Sequence, residues 1–159
     1  DMLDKIKVAV DTRNDDNLLV VARTDSRADS GLSEAIDRVN AYHEVGADVL
    51  FVEAPESIDE LAYVAAQANG PVLANMVEGG RSPFLSAEEL HRLGYSVAIF
   101  PGSGFLAATQ AMQEVYTYLI ENGTTTGCKQ NVYPIDMMHE LTGFENIWKF
   151  EEKWSKKCR

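Results

Sequence analysis

The sequence predicts an α/β protein with a parallel β-sheet, and three observations support that prediction. Short apolar runs alternate four times with longer segments of helical periodicity, which is the pattern of successive strand and helix units in a parallel sheet. Several helical segments begin at Ser and are followed by Gly, as the ends of α-helices often are. The chain has 159 residues, 45% of them hydrophobic, so it can build a core of its own. We therefore expect parallel strands joined by right-handed helical crossovers.

The first predicted unit runs from a buried strand into an amphipathic helix. "LLVVART" at 18–24 is a short run rich in β-branched residues, as in the strands of a buried parallel sheet. The segment 33–46 is predicted to be a helix, with Ser33 at its N-cap and Gly46 at its C-terminal end. The apolar stripe of that helix consists of Ala35, Val39 and Tyr42.

The second and third units repeat the pattern. A strand at 47–55 precedes a helix at 57–70, and a strand at 71–76 precedes a shorter helix at 86–94. Both helices open with the Ser-x-x-Glu spacing of a capping box, in which side chain and backbone satisfy each other's hydrogen bonds. The predicted C-terminal residues of the two helices are Gly70 and Gly94.

The fourth unit is a strand at 96–101 followed by a long helix at 103–122, which Gly123 closes. A polar connector then separates these repeats from a helical tail. We therefore divide the chain into a unit of four βα repeats at 1–123 and a tail at 124–159.

Two helical stretches are predicted in the tail, at 132–143 and 145–157. The second has Ile147, Phe150 and Trp154 on one face. That apolar face could pack on the chain's own domain or dock on a neighbouring subunit, and the spacing alone leaves both possibilities open.

Composition excludes some classes of function. The net charge of −11 argues against nucleic-acid partners, which select basic faces. No apolar run reaches the length of a membrane span, and no signal-peptide pattern is present. Cys128 and Cys158 have no CxxC spacing, so a reduced compartment is expected. We predict a cytoplasmic protein, with an organelle matrix as the alternative, and no membrane partner.

Polar residues close three consecutive predicted strands. Arg23 ends the first strand, Glu53 the second and Asn75 the third. Ligands of parallel α/β folds bind at the carboxyl ends of strands, and a structural hydrogen bond can explain any one such residue but explains three together poorly. We therefore expect one pocket that binds a small carboxylate or phosphonate. Gly79 and Gly80, just beyond Asn75, either form a turn or present backbone amides to an anion.

Four motifs in order carry a family resemblance: "ARTDSR", "GADVLFVEAP", "LANMVEGGRSP" and "IFPGS". With these motifs the chain resembles the isocitrate lyase / phosphoenolpyruvate mutase superfamily, in particular its methylisocitrate lyase and 2,3-dimethylmalate lyase-like branch. The resemblance implies a (β/α)8 TIM-type barrel, a bound Mg²⁺ and cleavage of a C–C bond in a small 2-hydroxy di- or tricarboxylate through an enolate.

The resemblance also implies residue roles. Arg23 matches the family's substrate-binding arginine, for which we expect a catalytic part as well. Glu53 matches the catalytic acid of its "EA" motif, and Asn75 its carboxylate-binding asparagine. Pro101 lies where branches of the family differ and is expected to shape the pocket.

The family's Mg²⁺-binding aspartates and mobile cysteine loop have no counterpart in this sequence. The chain therefore looks like strands five to eight of the barrel plus the C-terminal helices. On this interpretation the metal ligands come from the other half. The partners are then that half-barrel or further copies of the chain, a tetramer by family resemblance. Phosphonomutase or oxaloacetate hydrolase chemistry, and a non-catalytic half-barrel that serves in assembly, are the alternatives.

Overall fold

A computed structural model describes residues 1–15 and 17–155 of the chain. Helices and strands alternate along it as predicted. The elements are α1 (Met2–Thr12), β1 (Val21–Thr24), α2 (Arg27–Ser30), α3 (Leu32–Glu44), β2 (Val49–Val52), α4 (Ile58–Gln67), β3 (Leu73–Asn75), α5 (Ala87–Leu93), β4 (Val97–Ile99), α6 (Ser103–Asn122), α7 (Ile135–Leu141) and α8 (Phe144–Ser155).

The strands are parallel and follow each other in chain order. β1 pairs with β2, with Arg23 opposite Phe51, and β3 pairs with β4, with Asn75 opposite Ile99. A single parallel bridge between Leu50 and Val72 joins the two pairs. The predicted α/β class with parallel strands is therefore confirmed.

The two faces of these strands have different surroundings. Even-numbered residues such as Ala22, Leu50 and Ala74 belong to the main core, which the helices cover. Odd-numbered residues form a second, smaller cluster of Val49, Phe51 and Leu73. At its margins this second face is open, since Val21 is 49% exposed and Val97 37% exposed. We call it the open face. Arg23, Glu53 and Asn75 are odd-numbered too and lie at its carboxyl end.

The chain divides into two compact units, Asp1–Ala107 and the remainder from Ala108 onward. The division falls inside α6, whereas the sequence places a boundary after residue 123, which stays a prediction. In the second unit α7 lies within the predicted stretch 132–143, and α8 begins one residue before the predicted stretch 145–157. Ile147, Phe150 and Trp154 on α8 are exposed. Residues 156–159, with Cys158, lie outside the described part of the chain.

Several predicted helix ends are confirmed. Ser86 and Glu89 form the complete capping box of α5, and Gly94 ends that helix in the left-handed conformation, at φ 105°. Ser57 caps α4 by accepting from the Glu60 N–H at 3.1 Å. The Glu60 carboxylate does not complete that box, because it accepts from Arg27 and from the Glu56 N–H instead.

Other predicted ends are wrong. The N-cap of α3 is Gly31 and not Ser33. Gly46, one residue beyond the C-cap Val45, does have the left-handed conformation expected at the end of that helix, at φ 105°. α4 ends at Gln67 with Ala68 as its C-cap, so Gly70 is not a helix terminator. Gly70 is a packing position instead: a Cβ there would lie 2.8 Å from the His43 ring.

The strands are shorter than predicted, and the sequence did not predict α1 or α2. Among the described residues, no helix is both long and apolar enough to cross a membrane.

Candidate functional site

A cavity of about 400 Å³ opens beyond the carboxyl ends of β1, β2 and β3. Three of the residues predicted from the strand ends, together with one of the two predicted glycines, contribute to its wall. Its lining consists of Arg23, Asp25, Ala28, Asp29, Glu53, Ala54, Asn75, Val77, Gly80, Arg81 and Ser82. Parallel pairing brings the strand ends to one edge of the sheet, and the shared odd register turns these side chains to the same face.

Arg23 is the centre of a charged cluster at this edge. Its Nη2 and Nε donate to the two carboxylate oxygens of Asp25 at 2.7 and 3.0 Å. Its Nη1 lies 3.3 Å from Glu53 Oε2. The guanidinium carbon lies 5.0 Å from the ring centroid of Phe51, a distance at which a cation is attracted to an aromatic face. Three neighbours thus orient a side chain that is still 45% exposed.

The pair of Arg23 and Asp25 stays charged across neutral pH. Hydrogen bonds from Arg23 hold the pKa of the Asp25 carboxyl below its ordinary value. The same hydrogen bonds raise the pKa of the Arg23 guanidinium. Asp25 follows β1 directly in sequence but was not among the predicted site residues.

Two polar atoms in the cavity wall have no hydrogen-bond partner among the described residues. They are Glu53 Oε2 and Asn75 Oδ1, and both are buried. The Glu53 oxygen is near Arg23 Nη1 but accepts no hydrogen bond from it. Buried acceptors are normally satisfied, so both positions call for a donor that a bound molecule can supply.

Ala54 connects Glu53 to the next segment in an unusual conformation. Its φ is +54°, a left-handed value that costs a residue with a Cβ free energy. Pro55 follows it and is buried. Such backbone strain is concentrated at functional sites, where the surrounding structure holds it. No sequence pattern signals this conformation, since Ala has no preference for it.

The loop after β3 provides the opposite wall. Gly79 adopts a positive φ of 73°, whereas Gly80 and Arg81 line the cavity. The Glu78 carboxylate accepts a hydrogen bond from the Ser103 hydroxyl at the start of α6. Gly102 allows this approach, because a Cβ there would lie 3.2 Å from Glu78 Oε2. The start of α6 therefore anchors the loop.

Arg81 adds a second guanidinium to the cavity. Within residues 1–15 and 17–155 it has no hydrogen bond or ion pair and is exposed. Arg81 was not selected from the sequence, although its position next to two glycines at a strand end could have suggested it.

Two predicted site residues lie away from the cavity lining. Pro101 is exposed in the turn that precedes α6, and Gly79 is exposed at the tip of its loop. Their roles stay predictions.

No group of three or more His, Cys, Asp or Glu side chains suited to a metal ion occurs in the described part of the chain. Of the carboxylates in the cavity wall, Asp25 is already bound to Arg23 at both oxygens. These residues therefore do not fit a Mg²⁺ site.

A model of the phosphoenolpyruvate phosphomutase family matches residues 1–120. The chain is 40% identical over 155 residues to 2,3-dimethylmalate lyase of Eubacterium barkeri, covering 98% of this chain and 54% of that protein. It is 40% identical over 156 residues to 2-methylisocitrate lyase of Salmonella typhimurium, covering 96% and 51%. The chain thus spans about half the length of these relatives.

Among solved structures, a phosphonopyruvate hydrolase in complex with oxalate and Mg²⁺ has the same fold. The TM-score is 0.82 at 24% identity, over 96% of this chain and 54% of that one.

Proposed function

Because this chain belongs to the phosphoenolpyruvate phosphomutase family, we propose that it carries the carboxylate-binding part of a carbon–carbon lyase. The substrate is a small 2-hydroxy di- or tricarboxylate of the dimethylmalate or methylisocitrate type. One observation carries the proposal: Arg23, Glu53 and Asn75 meet at one cavity, and two of them bring buried oxygens without a donor. A 2-hydroxy acid offers an anion for the guanidinium and a hydroxyl hydrogen for an acceptor.

The proposed chemistry uses these residues as follows. Arg23 Nη1 binds a carboxylate oxygen of the substrate, since its other two nitrogens are occupied by Asp25. Glu53 Oε2 accepts a hydrogen bond from the substrate hydroxyl. As the C–C bond of the substrate breaks, Glu53 Oε2 takes the hydroxyl proton. The C–O bond becomes a carbonyl, and the electrons of the adjacent C–C bond pass to the departing carbon. The departing carbon takes up a proton from solvent and Glu53 returns its proton to solvent, so that a 2-oxo acid and a second carboxylic acid leave.

Asn75 has a different part in this scheme. Its amide nitrogen, Nδ2, donates a hydrogen bond to a carboxylate that does not change during the reaction. Arg81 and the Gly80 segment form the neighbouring wall. The guanidinium of Arg23 stabilises the negative charge that develops near it, which is the contribution that preorganised donors make to catalysis.

We further propose that the chain forms strands five to eight of a (β/α)8 barrel. Support comes from the chain-order parallel strands, the open face and the half-length match to the relatives. In this arrangement the Mg²⁺ ligands belong to the other half, consistent with the unsuitable donor set described above. When bound, the ion would supply electrophilic stabilisation of an oxyanion.

The test is a pyruvate-release assay of the full-length protein with Mg²⁺. We expect pyruvate from 2,3-dimethylmalate or 2-methylisocitrate, and loss of activity in EDTA that added Mg²⁺ restores. Glu53→Gln should abolish turnover. Arg38→Gln is the control, because Arg38 pairs only with Glu34 on the exposed side of α3 within the described residues. The proposal would be contradicted if the protein turned over oxaloacetate or phosphonopyruvate but neither of the two hydroxy acids. Full activity of Glu53→Gln would contradict it as well.

A further inference from the structure

A second charged cluster lies behind the candidate site and connects two of its loops. Arg27 opens α2, immediately after the segment that carries Arg23 and Asp25. Its Nε and Nη2 donate to the two carboxylate oxygens of Glu60 at 3.0 and 2.7 Å. Its Nη1 lies 2.7 Å from Glu56 Oε1. We call these three residues the Arg27 clasp.

The clasp is a well-defined arrangement and not a loose surface pair. The Arg27 side chain is 16% exposed, and all three of its guanidinium nitrogens face carboxylates. Bidentate binding of a carboxylate by a planar guanidinium fixes the relative orientation of the two side chains more tightly than a single contact does. The ordinary surface pair of Arg38 and Glu34 uses one nitrogen between half-exposed side chains.

The clasp also holds backbone. Glu60 Oε2 accepts from the Glu56 N–H at 2.8 Å while it accepts from Arg27. Glu56 follows Pro55, so this bond ties down the chain two residues beyond Ala54. The left-handed conformation of Ala54 thus lies between β2 and a segment that the clasp fixes.

Glu53 depends on that turn for its orientation. Its Oε2 accepts no hydrogen bond from any described residue, and its polar neighbour is Arg23 Nη1 at 3.3 Å. The position of the carboxylate therefore depends on Arg23 and on the backbone that carries it, which is held on the β1 side by the Glu53 N–H donating to the Thr24 carbonyl at 3.0 Å and on the other side by the Ala54 turn. A strained residue next to it relaxes unless something opposes the relaxation.

We propose that Arg27 is a positioning residue. Through Glu60 and Glu56 it keeps the Ala54 turn in its left-handed form, and so holds Glu53 against Arg23 in the cavity. The inference rests on the proposed function only for its kinetic consequence. The effect on the backbone turn is independent of which reaction the site performs.

The first test measures the turn itself. Hydrogen exchange of the full-length protein, followed by mass spectrometry, reports on the segment 53–57. In Arg27→Gln we expect at least a tenfold faster exchange of the Glu56 amide, whose acceptor is no longer fixed. Arg38→Gln should leave the segment unchanged. Equal exchange in Arg27→Gln and the parent would overturn the proposal, whether or not the protein is a lyase.

The second test is kinetic. A small displacement of a reacting group can lower turnover about a hundredfold. Arg27→Gln should therefore lower kcat about 10- to 100-fold while KM changes less than threefold, because Arg23 and Asn75 still bind the carboxylates. Arg27→Lys should recover only part of the loss, since an ammonium cannot hold both carboxylates in the fork geometry. Parental kcat in Arg27→Gln would overturn the proposal.

A rescue experiment separates positioning from general stabilisation. Gly adopts a positive φ without the cost that Ala bears, so Ala54→Gly should restore kcat at least fivefold in the Arg27→Gln background. No restoration would overturn the role of the Ala54 turn. If Arg27→Gln does not fold, Glu56→Gln removes one arm of the clasp at a half-exposed side chain. Glu56→Gln should lower kcat as well, by a smaller factor than Arg27→Gln. An unchanged kcat in Glu56→Gln would overturn the proposal.

Discussion

Asp25 occupies two of the three guanidinium nitrogens of Arg23, with Nη2–Oδ1 at 2.7 Å and Nε–Oδ2 at 3.0 Å. The third nitrogen, Nη1, faces Glu53. A ligand carboxylate can therefore join the cluster at Nη1 without displacing Asp25. Arg23 therefore uses two guanidinium nitrogens to bind Asp25 and the third to bind a ligand.

This geometry predicts the effect of Arg23→Lys. One ammonium cannot keep both bonds to Asp25 and present a further donor to a ligand. We expect kcat of the full-length enzyme to fall by about 10- to 150-fold, the equivalent of roughly 1.5–3 kcal/mol for a charged hydrogen bond. KM should change less, since the loss is largest where charge develops. Steady-state kinetics decide, and a correctly folded variant with parental kcat/KM would show that Arg23 is structural.

Asn75→Ala should behave differently. Its amide is proposed to bind a carboxylate equally in the ground state and the transition state, so its loss should raise KM more than it lowers kcat. Asn69→Ala is the matched control, because that amide is exposed and away from the cavity. An unchanged KM in Asn75→Ala would mean that the Asn75 side chain does not contact substrate.

Gly70→Ala tests the packing of the segment after α4 against His43 of α3. A Cβ at this position would lie 2.8 Å from two atoms of the His43 ring, and the Ala47 carbonyl, 3.0 Å from His43 Nδ1, holds that ring. Overpacking of this kind costs about 1–3 kcal/mol, measured by urea unfolding of the full-length protein. Gly104→Ala is the control, because a Cβ there meets nothing within 4 Å and Ala favours a helix. Equal stability of the two variants would contradict the expected clash.

Asp48 gives a pH-dependent prediction. The Val20 N–H, at 2.7 Å, lowers the pKa of the Asp48 carboxyl, and Arg13 at 2.6 Å adds to the shift. A lowered folded-state pKa contributes stability above the unfolded value of about 3.9, and that contribution is lost as pH falls through the folded-state pKa.

Asp48→Asn should therefore lower the free energy of unfolding by about 1–2 kcal/mol at pH 7, the effect of losing charged hydrogen bonds at a partly exposed site. The difference from the parent should shrink as pH falls below about 3.9, because the unfolded carboxyl then binds a proton that the folded carboxyl still resists. Urea unfolding at pH 7 and pH 3 measures both values. A difference that is the same at the two pH values would rule out the charge as its cause.

The 159-residue chain by itself is expected to pair or aggregate. Its open face leaves Val21 and Val97 substantially exposed at the margins of the strands, and unpaired strand edges invite association. Size-exclusion chromatography with light scattering provides the mass. A monodisperse monomer that unfolds cooperatively would argue against the half-barrel.

Much of the fold could be predicted from local patterns. The stripe of Ala35, Val39 and Tyr42 is buried as expected, and Ser86 with Glu89 caps α5 as the spacing indicates. These features depend on residues close together in sequence, where periodicity and capping chemistry act directly.

The misjudged positions depend on distant contacts. Gly70 has the sequence context of a helix terminator, but its role comes from a ring 27 positions earlier in the chain. Glu60 fits a capping box, yet Arg27 competes for its carboxylate. α1 contributes Ile6 to the core, and one buried residue is too weak a pattern to predict a helix.

The candidate site was predictable where chemistry coincides with a strand end. Arg23, Glu53 and Asn75 were found because each closes an apolar run. Ala54 was not, because its importance lies in a backbone angle that its side chain does not encode.

The alternation of side chains between the two faces of β2 also restricts where single-residue insertions and deletions can be tolerated. Leu50 and Val52 face the helices, while Phe51 and Glu53 belong to the open face and the cavity. Deleting or inserting one codon within Val49–Val52 would exchange the two sets, placing Glu53 toward the apolar layer and an aliphatic residue beside Arg23. Length variation among relatives is therefore expected in the loops beyond the strands, where an added residue shifts no side chain from one face to the other.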